Sequence, residues 1–286
     1  MRVVVSIGGS VLVPDLAPER VETYASVIES LDGAGHALGT VVGGGQTARD
    51  YITTARELGA NEIELDQLGI AVTRLNARLL VAALDDRAAS TPPEDYDAGR
   101  EAVRRGDVPV MGGVVAGQTT DAVATGLAEH VDADLVVFAT SVPGVFDADP
   151  DADPSATRFD RMTAGELVDL VAEADMNAGS NVPVDLTAAK VLQRSGVRAV
   201  VLDGTNPRTV ERAVRSGDST GPTSSPRKAL PRPPSGGSDR QRARTTRSDP
   251  ARCANRILFC TTALRSGRWL ARSRGSSPAS SSTRWG

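Results

Sequence analysis

Short apolar runs alternate with longer stretches of helical period through the first three quarters of the chain. Residues 3–7, 37–42, 108–111, 135–139 and 199–202 are continuous or nearly continuous apolar runs, the signature of strands buried on both faces. Between them the spacing turns helical. Val21, Tyr24, Ile28 and Leu31 line one face of a helix over 17–31, which Gly33 and Gly35 stop, and a second helix starts near Gln46. Ile63, Leu68, Ile70, Leu75, Leu79 and Leu84 predict a long helix over 62–87, broken or bent at Gly69. Further helices are expected over 94–105, 119–130, 164–173, 186–195 and 207–215, whereas 143–160, rich in Pro, Asp and Gly, reads as a hairpin-like loop. Strands separated by helices predict an α/β fold, with a parallel or mixed sheet covered on both faces.

The pattern dissolves after Asp218, and charge changes there too. Residues 1–218 hold 18 Lys and Arg against 34 Asp and Glu, while 219–286 hold 14 against 2. The acidic body uses Arg almost to the exclusion of Lys, with Lys190 its sole lysine and Lys228 in the tail. This composition predicts a soluble protein adapted to high salt. Such a surface repels nucleic acid and anionic membranes, so the expected partner is a small molecule whose charge is neutralised locally. Both cysteines, Cys253 and Cys260, lie in the tail, and a cysteine-free body fits the reducing cytoplasm. No run reaches the length of a membrane span, and no signal peptide precedes the first strand.

Glycine turns carry the candidate chemistry. The first strand leads into Gly8-Gly9-Ser10 and the second into Gly43-Gly44-Gly45, directly before a helix. Glycines at the carboxyl ends of strands let backbone N–H groups approach phosphate, and two such turns imply a polyphosphate or two phosphates side by side. Arg49, one turn into the helix, can fold back onto the same anion. Neither turn matches the Walker loop or the dinucleotide fingerprint. A third site follows the third run of the pattern, where Gly112-Gly113 leads through Gly117 to Thr119-Thr120-Asp121; it offers hydroxyls and helical N–H groups to a phosphate, or serves as a plain helix cap.

The motifs IGGSVL, VVGGGQTARDY, PVMGG with GQTTDAVA, TSVPGVFDADP and GSNVPVDLTAAKVLQRSG, in this order, resemble the archaeal uridylate kinases of the amino acid kinase superfamily over about residues 1–217. The resemblance implies a three-layer αβα sandwich with an open, mostly parallel central sheet, assembled as a hexamer, that phosphorylates UMP with ATP and Mg²⁺. It implies that Gly9, Ser10, Gly45 and Arg49 line the ATP phosphates, and that Thr140, Ser141, Phe146 and Asp149 hold its nucleoside end. Gly44, Asp66 and the run Val114, Val115, Ala116, Gly117, Gln118, Thr119 and Thr120 would hold UMP, with Asp66 accepting from ribose hydroxyls. Ser6 stands where the wider superfamily often has lysine, Phe146 where tyrosine is usual, and Ser141 where asparagine is common.

Phosphoryl transfer to a phosphate needs charge neutralisation more than a general base. Arg49 and Lys190 are therefore the candidate catalytic cations. Asp185 is expected to orient metal-bound water or to cap the next helix, and His36 and His130 are read as structural. The motifs leave room for another kinase of the superfamily and for a non-catalytic nucleotide-binding subunit. The kinase domain is expected to end at 218. The basic Ser/Pro/Arg-rich tail, 219–286, is expected to be disordered and to arise from a shifted reading frame: codons permitted for 219–226, displaced by one base, encode Asp-Gly-Thr-Asp-Val-Ile-Pro, the ending usual among such kinases.

Overall fold

The computed structural model describes residues 1–84, 86–150, 153–176, 183–219 and 256–258. Its elements run β1 (Arg2–Ile7), α1 (Gly9–Leu12), α2 (Pro18–Gly33), β2 (Ala37–Val42), α3 (Gly45–Glu57), α4 (Glu62–Ala83), α5 (Tyr96–Arg105), β3 (Val110–Met111), α6 (Thr120–His130), β4 (Leu135–Thr140), β5 (Arg161–Thr163), α7 (Ala164–Met176), α8 (Leu186–Ser195), β6 (Arg198–Asp203), α9 (Arg208–Ser219) and β7 (Arg256–Leu258). Five strands form one sheet in the order β3-β2-β1-β4-β6, with every neighbouring pair parallel. The chain winds outward from β1 to β3, then returns to the other side of β1. In sheets wound this way a crevice opens at the carboxyl ends of the strands where the winding reverses, here between β1 and β4.

Two-sided burial explains why the strands are apolar throughout. Val3, Val5 and Ile7 pack with Tyr24, Ile28, Leu31, Leu80 and Val214 on one face. Val4, Val136 and Phe138 pack with Val123, Leu127, Leu167 and Leu192 on the other. Each fully buried aliphatic side chain is worth about 1.5–3 kcal/mol, so covering both faces of the sheet makes three layers, helices on sheet on helices.

The long helix α4 corrects the sequence reading in two respects. It runs unbroken through Gly69 and stops at Ala83, because Leu84 turns to an extended conformation. A glycine inside a helix costs roughly 1 kcal/mol, which a capping box between Asn61 and Glu64 and the packing of α4 offset. Gly69 faces α3, where an added Cβ would already touch Ile52 Cδ1 at 3.5 Å. The glycine is thus accommodated within the packed helix and does not end it. The third strand is also shorter than expected: only Val110–Met111 joins the ladder, and Val108 makes an isolated bridge to Ala88.

The loop over 143–160 is hairpin-like as expected, with Phe146 bridged antiparallel to Arg158 and Phe159 N–H donating to Val145 O at 2.9 Å. Three short elements went unforeseen, the turn of helix α1, the strand β5 and its antiparallel partner β7, which lies in the tail expected to be disordered. Apart from Ser219 and β7, the tail lies outside the described residues, as do Cys253, Cys260, Lys228 and residues 179–182 of the last sequence motif. Among the described residues no helix is long and apolar enough to cross a membrane.

Candidate active site

A cavity of about 490 Å³ opens at the carboxyl edge of the sheet. The turns after β1 and β2 form its floor, and they touch. Because Ile7 pairs with Val42, the two turns leave the sheet side by side. A Cβ on Gly9 would lie 2.1 Å from Gly45 N and 2.5 Å from Gly43 O, so only glycine fits. Gly45 has φ +67°, a backbone conformation that glycine adopts at little cost.

These turns end at helix starts that no side chain caps. Gly8 precedes α1 and Gly44 precedes α3, each without a side-chain cap, whereas Asn61, Asp95, Thr119 and Asp185 cap α4, α5, α6 and α8. The remaining uncapped start with an assigned N-cap residue is that of α2, where Pro18 has no N–H to satisfy. Free helical N–H groups and the α3 dipole make the floor of the cavity attractive to anions.

Most of the expected site residues converge here. Gly9, Ser10, Gly44, Gly45 and Arg49 line the cavity with Asp66, Val115, Gly117, Gln118, Thr119, Thr120, Thr140 and Ser141. Val114 and Ala116 belong to the same loop without reaching the lining, and Phe146 and Asp149 lie in the hairpin beyond Ser141. Lys190 is not brought in; it stands exposed on α8. Among the described residues lining the cavity, Arg49 is the one cation, and its Nε donates to Gln46 Oε1 at 3.1 Å. Asp185 caps α8 by accepting from Thr187 N and Ala188 N, and its other oxygen accepts from the Thr119 hydroxyl.

The loop from Gly112 to Thr120 is strapped at several points. Gly113 N–H donates to Thr73 Oγ1 at 2.7 Å, Arg74 Nε donates to Gly113 O at 3.2 Å, and Gly117 N–H donates to Asp66 Oδ2 at 2.7 Å. One oxygen of Asp66 is therefore engaged by the loop itself. On the floor, buried Asn76 donates to Gly43 O at 2.9 Å and to Gly44 O at 3.2 Å, holding the second glycine turn. Asn76 and Thr73 were missed from sequence. A signal existed for Asn76, a polar residue among Val72, Ala77 and Leu80 on the buried face of α4.

Asp121 forms part of the wall, and its Oδ1 accepts from Ser6 Oγ at 2.8 Å. Burial pushes its carboxyl from an ordinary 3.8 up to about 7; the Ser6 hydrogen bond opposes the shift and the nearby Asp185 charge adds to it.

Residues 1–203 match the model of the amino acid kinase family. The chain belongs to that family. The uridylate kinase of Haloarcula marismortui is 69% identical over 221 residues, which cover 77% of this chain and 97% of that one. The uridylate kinase of Halobacterium salinarum is 65% identical over 77% of this chain and 92% of its own. Among solved structures of the amino acid kinase family, the uridylate kinase from Archaeoglobus fulgidus superimposes with a TM-score of 0.69 at 44% identity, over 75% of this chain and 96% of that one.

Two outcomes follow from this geometry. Gly9→Ala is expected to abolish nucleotide binding in calorimetry, because the added carbon collides with backbone and no side chain can move to relieve it. Asp121 holds its proton to higher pH in the folded chain than in the unfolded one, so between about pH 4 and pH 7 the folded state binds more protons and stability falls as pH rises. The thermal midpoint of the natural chain should accordingly decline relative to Asp121→Asn across that window and run parallel to it above pH 7.

Proposed function

We propose that this chain transfers the γ-phosphoryl group of ATP to UMP, releasing ADP and UDP, a step of pyrimidine nucleotide biosynthesis. The observation that carries this reading is the meeting of two uncapped helix starts on one cavity floor, beneath a loop strapped by Asp66. Two phosphate chains can lie there end to end. The similarity to uridylate kinases over nearly their whole length supports UMP as the acceptor.

In the reaction an oxygen of the UMP phosphate, largely ionised at neutral pH, bonds to the γ-phosphorus of ATP. The bond from that phosphorus to the β–γ bridging oxygen breaks, and its electron pair leaves with ADP. No base is required. Gly9, Ser10, Gly45 and Arg49 would hold the transferring phosphates, and Thr140, Ser141, Phe146 and Asp149 the nucleoside end of ATP. Gly44, Asp66 and residues 114–120 would hold UMP, with the free oxygen of Asp66 directed to ribose hydroxyls. Asp185 acts on this site through the Thr119 hydroxyl and the start of α8.

The donor set fits Mg²⁺ that arrives with the nucleotide. Among the described residues no group of three or more His, Cys, Asp or Glu could hold a metal, and the carboxylates lining the cavity, Asp66 and Asp121, already accept hydrogen bonds. Phosphate oxygens and water would supply most ligands, and the ion would neutralise charge on the phosphoryl oxygens. One lining arginine cannot offset two nucleotide anions by itself.

Assembly belongs to the same reading. On α4, Ala71, Leu75, Leu79 and Ala82 form an exposed apolar stripe, with Leu75 62% and Leu79 43% exposed. Its order, small-large-large-small, is unchanged when the helix is reversed, which suits antiparallel packing against a second copy about a two-fold axis. We read the chain as a homo-oligomer built on this pair, in line with the hexamer expected from its motifs. Residues 1–218 are proposed to carry the activity without the tail.

The decisive assay couples ADP release to UMP, CMP, carbamate and isopentenyl phosphate in turn. Turnover with UMP is expected to dominate, and binding of UMP and ATP without turnover would sink the proposal. Asp66→Asn should raise the KM for UMP roughly tenfold while leaving that for ATP within about twofold, the scale of one charge-assisted hydrogen bond. For assembly, Leu75→Glu should shift the light-scattering mass at high salt to a smaller species; an unchanged mass would remove α4 from the interface.

A further inference from the structure

Tyr96, the first residue of α5, has no part in the roles assigned above. Its ring stacks on His130 with centroids 4.8 Å apart and planes inclined by 19°. Gly126, one turn earlier on α6, lies flush against the same ring, where a Cβ would come within 2.9 Å of Cζ and Oη. His130 is itself fixed, with Nδ1 2.8 Å from Gly126 O; a carbonyl only accepts, so Nδ1 carries the proton. Packing on two sides thus fixes the phenol, and its hydroxyl donates to Gln118 Oε1 at 2.9 Å. Gln118 lines the cavity.

We propose that Tyr96 is a positioning residue for the acceptor nucleotide, acting through the side chain of Gln118. The proposal rests on the reading that the loop over 113–120 receives UMP. A carboxamide has an acceptor on its oxygen and two donors on its nitrogen, and it can present either side to a ligand by turning over. With the oxygen engaged by a phenol that cannot move without breaking its contacts to Gly126 and His130, the amide is held one way round. Gln118 then offers N–H to the cavity. Such a donor pairs with a keto or phosphate oxygen and opposes an exocyclic amine. Burial also pushes the phenol above its ordinary pKa, against the effect of the Gln118 bond, so Tyr96 stays a donor throughout the working range.

The test compares Tyr96→Phe, Gln118→Ala and the double variant in steady-state kinetics and thermal melting. Phe keeps the stacked ring and removes only the hydroxyl. Tyr96→Phe is expected to raise the KM for UMP about 3- to 10-fold, the size of one hydrogen bond, with the KM for ATP and the thermal midpoint near those of the natural chain. The double variant should be no worse than Gln118→Ala alone. A fall in the UMP to CMP preference would place the donor on the uracil edge, and equal losses for the two would place it on the phosphate; either supports the proposal. Additive losses, or a lowered midpoint with both KM values disturbed alike, would overturn it in favour of a packing role. A silent Tyr96→Phe beside an impaired Gln118→Ala would overturn the positioning role alone. An unimpaired Gln118→Ala would overturn it together with the reading of the loop.

Discussion

The backbone contact between the turns after β1 and β2 constrains everything around it. Two parallel strands in register deliver Gly9 and Gly45 to the same point, where neither can carry a side chain. Helix starts meet where side chains are excluded, and their N–H groups are left for a ligand. The surrounding residues serve this junction. Asn76 reaches from the buried face of α4 to the carbonyls of Gly43 and Gly44, and the side-chain caps on α4, α5, α6 and α8 show that the two bare starts are a local feature, not a habit of the chain.

Electrostatics sharpen this picture. An acidic body that must bring two anionic nucleotides together places one lining cation, Arg49, beside backbone donors. Partial charges fixed in the fold favour phosphate without adding a basic patch, which suits a surface whose acidic charge keeps it hydrated and dispersed. Burial pushes the Asp121 carboxyl up to about 7, so at neutral pH the wall of the cavity carries less than a full negative charge at this position.

Opposite the floor, the loop over 112–120 gains its shape from other elements. Thr73, Arg74 and Asp66 on α4, Tyr96 on α5 and Asp185 before α8 each hold one point of it. A loop held at its backbone amides and at Gln118 loses little further entropy when a ligand arrives. Its geometry answers to packing across three helices, so substitutions distant in sequence converge on one wall of the cavity.

The sequence by itself determined the class of fold, the order of strands and helices and the glycine turns, because apolar period and glycine placement are local properties written residue by residue. Helix α8 matched its expected bounds, and the loop over 143–160 folded back as foreseen. Tertiary structure decided the rest. Gly69 reads locally as a breaker, yet α4, packed on α3, runs through it without interruption. Lys190 stood out by rarity, but the face of α8 it occupies turns it away from the cavity lining. Thr73 and Tyr96 carried no motif, and Asn76 only the mark of a polar residue on an apolar helix face; each matters through a partner more than twenty residues away, and the identity of that partner is set by how helices pack, which no local pattern encodes.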